Sequence, residues 1–336
     1  MNSSPNARAA LVFAIAVAAL ALLPAVGSAS MVDKATTLLI YLLLAVSWNL
    51  MAGYAGLVSV GQQAFFGLGA YFALRLVDAG LGAYPALLAG ACGAAVVAWA
   101  LSSFVLRLEG GEFAIATWVL AEVIRIGVML DPLVQGETGI SLIALNALDP
   151  ELRRNLAYGL ALISLVGATL AMWWLLRSPV GRAAQAIGDD AEAAASLGVR
   201  VLRTRQLIYV AAAFGAALAG VAWLASAITF LPRTNFGVQW SVLMLFMVLV
   251  GGLRSFEGPF IGALLLFALQ EWLGDFGAWY LAGLGAVAIG FALGMPHGLW
   301  GWLQQRRGWR LVSTAAHPPA GAAPSPNLSI QRRPLP

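Results

Sequence analysis

Lysine, histidine and cysteine are almost absent from this chain of 336 residues. Each absence excludes a chemistry. A phosphate-binding P-loop needs a lysine on the β- and γ-phosphates, in the pattern GxxxxGK[ST]. The one lysine, Lys34, stands in MVDKATT, so the chain cannot supply that site. His297 and His317 stand alone, which leaves no metal site and no histidine-based triad. The single cysteine, Cys92, forms no internal disulfide and no metal cluster, and reads as a small packing residue. With no His, Cys or paired-carboxylate constellation, a membrane enzyme is excluded and no catalytic residue or cofactor is expected. Charged residues make up only 10% of the chain, and no hydrophilic stretch could fold as a separate globular domain. No basic patch with interleaved aromatics occurs, so a nucleic-acid partner is not expected.

What fills the chain is apolar. Hydrophobic residues reach 61% and the mean hydropathy is +0.84. Runs such as LVFAIAVAALALLPAV and ALLAGACGAAVVAWALSSFV carry no charge. A helix rises ~1.5 Å per residue, so about 20 such residues cross a hydrocarbon layer of ~30 Å. Lipid leaves only helices or closed barrels as spanning structures, and continuous rather than alternating runs select helices. The expected fold is an all-α, polytopic membrane helical bundle of about ten transmembrane helices (eight to ten). The spans fall at roughly 10–27, 36–52, 56–74, 83–106, 113–130, 155–176, 207–229, 239–251, 256–273 and 280–302. Residues 1–304 form the membrane domain. Residues 305–336, rich in Pro, Ala and Ser, are expected to be a disordered tail. The start resembles a signal peptide, with Arg8, an apolar run and VGSAS. Nine further spans follow it, so it is read as an uncleaved first span.

Ten spans put both termini on one side. If that side is cytoplasmic, the arginines at 8, 107, 177, 182, 200, 203, 205, 254, 306, 307, 310, 332 and 333 lie inside. Lys34, Arg75, Arg153, Arg154 and Arg233 lie outside, and Arg125 sits within a span. That asymmetry satisfies the positive-inside rule. The net charge of +4 therefore records orientation.

Four stretches stand out. The first, NLMAGYAGLVSVGQQAFFGLGAYFA, crowds Gly53, Gly56, Gly61, Gly67 and Gly69 together with Asn49, Ser59, Gln62, Gln63 and Phe65. Glycines permit close helix approach or a helix break. Polar groups at membrane depth face protein or a water-filled path. The segment is read either as tight packing or as the lining of a translocation path. In the second, EGGEFAIATWVLAEVIRIGVM, Glu122 and Arg125 are three residues apart on one helical face and are expected to pair. The third, residues 178–206, is the longest hydrophilic connection. Its alanines favour a short helix parallel to the membrane, with Gly198 as a stop. Its charges, Arg182, Asp189, Asp190 and Glu192, then Arg200, Arg203 and Arg205, suit a docking surface on the cytoplasmic side. The fourth, GGLRSFEGPFIGA, breaks and restarts helix around a cytoplasmic turn, and its GLRS echoes GLVS at Gly56.

Together, and in order, these blocks resemble the permease subunits of branched-chain amino-acid ABC importers, over about Leu38 to Trp300. The resemblance implies a type II ABC importer-like bundle in a bacterial inner membrane. It implies a paralogous permease subunit as a heterodimer partner, two cytoplasmic ATPase subunits and a periplasmic substrate-binding protein. Glu192, Ala193 and Ala194, followed by Gly198 and Ile208, look like the coupling signature by which importer permeases dock their ATPases. The later Leu-Pro of that signature is missing. Arg254 stands where relatives often carry glycine, and Gln62-Gln63 replaces a Gly-His pair. The expected function is alternating-access uptake of a branched-chain or related small amino acid. The alternative is an ion-coupled secondary transporter, with Glu122 the best titratable carboxylate and Glu271 and Asp275 nearer a boundary.

Overall fold

The computed structural model describes residues 5–295 and 298–307. His297, His317 and the tail beyond 307 lie outside the described residues, as does the side chain of Asp275. The chain is a bundle of helices: α1 (Pro5–Val26), α2 (Ala29–Ala55), α3 (Gln63–Asp78), α4 (Ala83–Val105), α5 (Gly110–Met129), α6 (Pro150–Arg177), α7 (Pro179–Asp189), α8 (Ala191–Ser196), α9 (Val201–Ala227), α10 (Pro232–Asn235), α11 (Gln239–Gly251), α12 (Gly258–Leu273), α13 (Ala278–Gly294) and α14 (Gly298–Arg307). Two short strands, β1 (Ile140–Ser141) and β2 (Thr229–Phe230), pair antiparallel between loops.

Among the described residues, five segments are long and apolar enough to cross a membrane: α2, α4, α6, α9 and the run Pro232–Gly251. The bent pair Ala282–Gly294 and Gly298–Gln304 would make a sixth. The remaining expected spans fall on shorter or more charged helices. Leu11–Val26 and Gly258–Leu273 are apolar but short. Helix α3 has 16 residues, and α5 carries Glu112, Glu122 and Arg125. The expected span 56–74 differs most. Its helix starts only at Gln63, and residues 57–62 are unwound. Gly56, at φ +69°, ends α2 in the left-handed conformation that glycine adopts without strain.

Helix α2 is the axis of the bundle, packed against α6, α9, α11 and α12. Helices α3, α4 and α9 form a second, tightly joined group. Their interfaces are built from small residues. Gly90 faces the backbone of Ala73, Gly69 faces that of Ala217, and Gly220 faces the carbonyl of Phe66. Without a hydrophobic force between helices in lipid, such close backbone contact is what holds them. An aromatic group closes the outer part of the core, with Phe66 stacked on Trp240 at 4.3 Å between ring centres and Trp223 edge-on to Trp240 at 5.1 Å.

Ion pairs gather at the two ends of the bundle. Asp33–Arg154 (3.1 Å), Lys34–Glu271 and Arg75–Asp131 (2.5 Å) join the starts of α2 and α6 and the ends of α3, α5 and α12. Arg205–Glu109 (2.8 Å) and Arg254–Asp189 (2.6 Å) lie at the opposite helix ends.

Candidate functional site

The unwound segment 57–62 is held from both sides. The Trp48 indole N–H donates to the Ser59 carbonyl at 3.0 Å. The Val60 amide donates to Thr117 Oγ1 at 3.3 Å, and the Gly61 amide to Ser59 Oγ at 3.1 Å. A Cβ on Gly61 would fall on the Thr117 carbonyl. The segment therefore lies directly against the buried stripe of α5, which is Phe113, Thr117, Ala121 and Val128. Gln62 is buried. Among the described residues its Nε2 meets only the Met51 sulfur, at 3.1 Å, and its Oε1 has no hydrogen-bond partner. Gln63, also buried, accepts from the Ser241 hydroxyl. Phe65 stands edge-on to Tyr209 at 5.6 Å. Gly53 approaches Asn49 and the Arg254 backbone, Gly56 approaches Gly188, and Gly67 approaches Phe236. Asn49, Gly53, Ser59, Gly61, Gln62, Gln63, Phe65, Gly67 and Gly69 are all buried within the chain, whereas Gly56 and Val58 are exposed.

Helix α5 buries that one stripe and exposes the rest. Ile115, Trp118, Val119, Val123, Ile126 and Leu130 stand out from the chain. Glu122 and Arg125 lie among them, 2.5 Å apart. The expected pairing on one helical face is present, and the Glu122 side chain is 49% exposed and that of Arg125 19%. The reason is that α5 lies at the edge of the bundle, with none of the described residues covering this face. Arg125 also reaches Glu137 at 3.3 Å, in the loop after α5. Glu122 and Glu137 thus share the one guanidinium of Arg125.

The connection 178–206 forms two helices rather than one. Ser178 caps α7, accepting from the Gly181 amide at 3.2 Å. Asp190 caps α8, accepting from the amides of Glu192 (2.9 Å) and Ala193 (3.0 Å). Gly198, at φ +85°, turns the chain toward α9. Helix α7 packs Gly181, Ala184, Gln185 and Ile187 inward, against α2, α6 and α9. Arg182, Asp189, Glu192, Ala193 and Leu197 are exposed, while Ala194 is buried. Arg182 donates to the Arg177 carbonyl at 2.9 Å. The structure thus places the residues expected to couple on α7, α8 and the turn after them, all exposed except Ala194, and the α5 pair on another helix.

A family model described as branched-chain amino acid transport system / permease component matches residues 30–296. The chain belongs to that family. The high-affinity branched-chain amino acid transport system permease protein LivM of Escherichia coli (strain K12) is 30% identical over 303 residues, covering 82% of this chain and 71% of its own. The autoinducer 2 import system permease protein LsrC of Enterobacter sp. (strain 638) is 36% identical over 145 residues, 39% of this chain and 40% of its own. The fructose import permease protein FruG of Bifidobacterium longum (strain NCC 2705) is 26% identical over 155 residues, 43% of this chain and 45% of its own. No solved structure matches the chain. The permease is thus an ABC importer subunit of a multi-pass membrane family, whose relatives are named for branched-chain amino acids, autoinducer 2 and fructose.

Two contacts of the permease have no signal in its sequence. Asp131, 5% exposed at the side chain, accepts from Arg75 at 2.5 and 2.7 Å, from the Tyr71 hydroxyl at 2.5 Å and from the Leu133 amide at 2.9 Å. The partners lie 56 and 60 residues away along the chain. Burial pushes the Asp131 carboxyl up, but the Tyr71 hydroxyl, the Leu133 amide and Arg75 outweigh it and hold the carboxyl below its ordinary value. A depressed carboxylate contributes stability that is full above its unfolded pKa of ~3.9 and is lost as pH falls through its folded value. Asp131→Asn is therefore expected to lower thermal stability at pH 7 by ~1–3 kcal/mol. The gap to the native protein should narrow below about pH 4. Thermal unfolding of both proteins from pH 7 down to pH 3 checks this, and a constant gap would contradict it. The other contact is that of Arg254 with Asp189.

Proposed function

We propose that this permease is one half of the membrane-spanning path of an ATP-driven importer for branched-chain or related small amino acids. The observation that carries the reading is the outer face of α5, where Glu122 stands half-exposed and Arg125 partly exposed among apolar side chains in mid-helix. Charges at membrane depth face protein or water rather than lipid. A second permease subunit, paralogous to this one, covers that face, and substrate passes between the two. The glycine block from Gly53 to Gly69 supports the wall of the path from behind, because Val60 and Gly61 press on α5 at Thr117.

The exposed surface of α7 and α8 docks an ATPase on the cytoplasmic side, with Arg182, Asp189, Asp190, Glu192, Ala193, Ala194 and Gly198 forming or supporting it. Two ATPase subunits close on ATP, push these helices, and switch the bundle between outward and inward openings. A periplasmic binding protein delivers the substrate. The ten-span arrangement with both termini in the cytoplasm fits the arginine distribution. Amino-acid specificity is favoured over sugar because the LivM relative aligns over 82% of the chain, against less than half for the LsrC and FruG relatives.

Uptake of leucine, isoleucine and valine, with fructose as comparison, tests the substrate class. Uptake should stop when the ATPase partner is inactivated and should survive collapse of the ion gradient. The reverse pattern would establish an ion-coupled transporter instead. Orientation is tested at Ser196, which is exposed at the end of α8. A cysteine there should react with an impermeant thiol reagent only from the cytoplasmic side. Labelling from outside would invert the topology.

A further inference from the structure

Arg254 occupies a backbone conformation that favours glycine. Its φ is +63°, in the turn between α11 and α12, where a Cβ is strained. A turn shaped by geometry alone would carry glycine here. The side chain must therefore be sought in what it touches. Its Nη2 donates to Asp189 Oδ1 at 2.6 Å. Asp189 is the last residue of α7. The two side chains are 33% and 59% exposed, so this pair adds little to folding stability.

The same turn is fastened to α2. The Arg254 amide donates to Asn49 Oδ1 at 3.3 Å, and Asn49 Nδ2 donates to the Ser255 carbonyl at 2.9 Å. Asn49 is fully buried in α2, shortly before that helix ends. Gly188, next to Asp189, lies against the end of α2 as well. A Cβ there would stand 2.7 Å from the Tyr54 carbonyl and 3.2 Å from Arg254 Nη2. The end of α7, the α11–α12 turn and the end of α2 thus meet at one point. Residues 57–62, the unwound segment that presses on α5, follow directly.

We infer that Arg254 is a positioning residue for transport, which ties the end of α7 to the α11–α12 turn and, through Asn49, to the end of α2. The inference rests on the importer reading above. When α7 and α8 are displaced from the cytoplasmic side, the Asp189–Arg254 bond pulls the turn with them. Asn49 clamps that turn to α2 from the other side. The displacement therefore reaches the break at 57–62 and the face of α5, instead of being absorbed by a loose loop. A surface ion pair that is unimportant for folding thus becomes important for transmission, and this accounts for a strained arginine at a glycine position.

The test uses the assembled transporter in proteoliposomes, with the binding protein supplied and leucine as the probe. Arg254→Gly, Asp189→Asn and the exchange Arg254→Asp with Asp189→Arg are compared with the native protein. The ratio of leucine taken up to ATP hydrolysed is the readout. Arg254→Gly and Asp189→Asn are each expected to lower that ratio about fivefold or more. The melting temperature of Arg254→Gly should stay within about 3 °C of native, since glycine relieves the left-handed backbone. The exchange should bring the ratio back to within about twofold of native. An unchanged ratio in Arg254→Gly overturns the inference alone, and so does an exchange without recovery. A fall of the melting temperature by more than about 5 °C does the same, because the pair would then be holding the fold. Native uptake that ignores ATP and follows an ion gradient overturns the importer reading and this inference with it.

Discussion

Gly61→Val is expected to give a protein that inserts and folds but transports at most about a tenth as fast, whereas Gly220→Val is expected to give little folded protein at all. Both glycines face a carbonyl of a neighbouring element. An added Cβ at Gly61 would fall on Thr117 of α5, and one at Gly220 would fall on Phe66 of α3. The difference lies in what can yield. Gly220 sits inside α9, and Phe66 sits inside α3, so two regular helices would have to part along a shared interface. Gly61 sits in the unwound segment, which can shift without breaking a helix. Overpacking costs ~1–3 kcal/mol, enough to move a two-state equilibrium by roughly 5- to 150-fold. At Gly61 that cost falls on the contact between segment 57–62 and α5. At Gly220 it falls on the fold. Gly167→Ala is the control, since nothing stands within 4 Å of its added Cβ. It should be neutral or stabilise α6 by up to ~1 kcal/mol. Membrane abundance, elution as a single species and substrate uptake separate the three. Normal uptake by Gly61→Val would remove the 57–62 segment from the working parts of the permease.

Helix positions in this chain are readable from composition because lipid permits few alternatives. A continuous apolar run such as 83–106 has to be helical, and α4 follows it closely. The same logic fails at 56–74. Hydropathy registers Leu57, Val58 and Val60 as span, but the turn at Gly56 and the hydrogen bonds from Trp48 and to Thr117 hold them outside any helix. Those partners are supplied by α2 and α5, and no local pattern announces them. The glycines announce close approach without saying to what. Gly69 meets α9 while Gly61 meets α5, although both belong to one run of sequence. Charges behave similarly. The Glu122–Arg125 pair is local and legible at a spacing of three, whereas Asp189–Arg254, 65 residues apart, is not. Exposure is the least legible property of all. A stretch as apolar as α5 reads as a membrane span, yet this chain buries only one stripe of it and leaves the rest exposed.

Arg125→Gln is expected to be more damaging than Glu122→Gln, although the two residues form a pair. Symmetric loss would follow if the pair were isolated. It is not, because Arg125 bridges Glu122 at 2.5 Å and Glu137 at 3.3 Å. Removing Glu122 leaves Arg125 with Glu137 as its counter-ion. Removing Arg125 leaves two carboxylates facing one another with no cation between them. Breaking a fully buried pair costs ~3–5 kcal/mol, while exposed pairs are worth ~0–1 kcal/mol. A pair partly exposed in this chain, and covered under the proposal that a second subunit packs on α5, lies between these limits. Arg125→Gln should therefore lower assembled yield or uptake by roughly tenfold, near 1.4 kcal/mol, and Glu122→Gln by about threefold at most. In Arg125→Gln, the further change Glu122→Gln should recover part of the loss, because it removes one of the two opposed charges. A double variant no better than Arg125→Gln alone would show that the arginine acts on something other than its acidic neighbours. The comparison also bears on where α5 faces. If the loss appears in assembly and uptake but not in the thermal stability of the isolated chain, the charges are felt only once a second subunit covers them. A loss already complete in the isolated chain would place their importance within this fold.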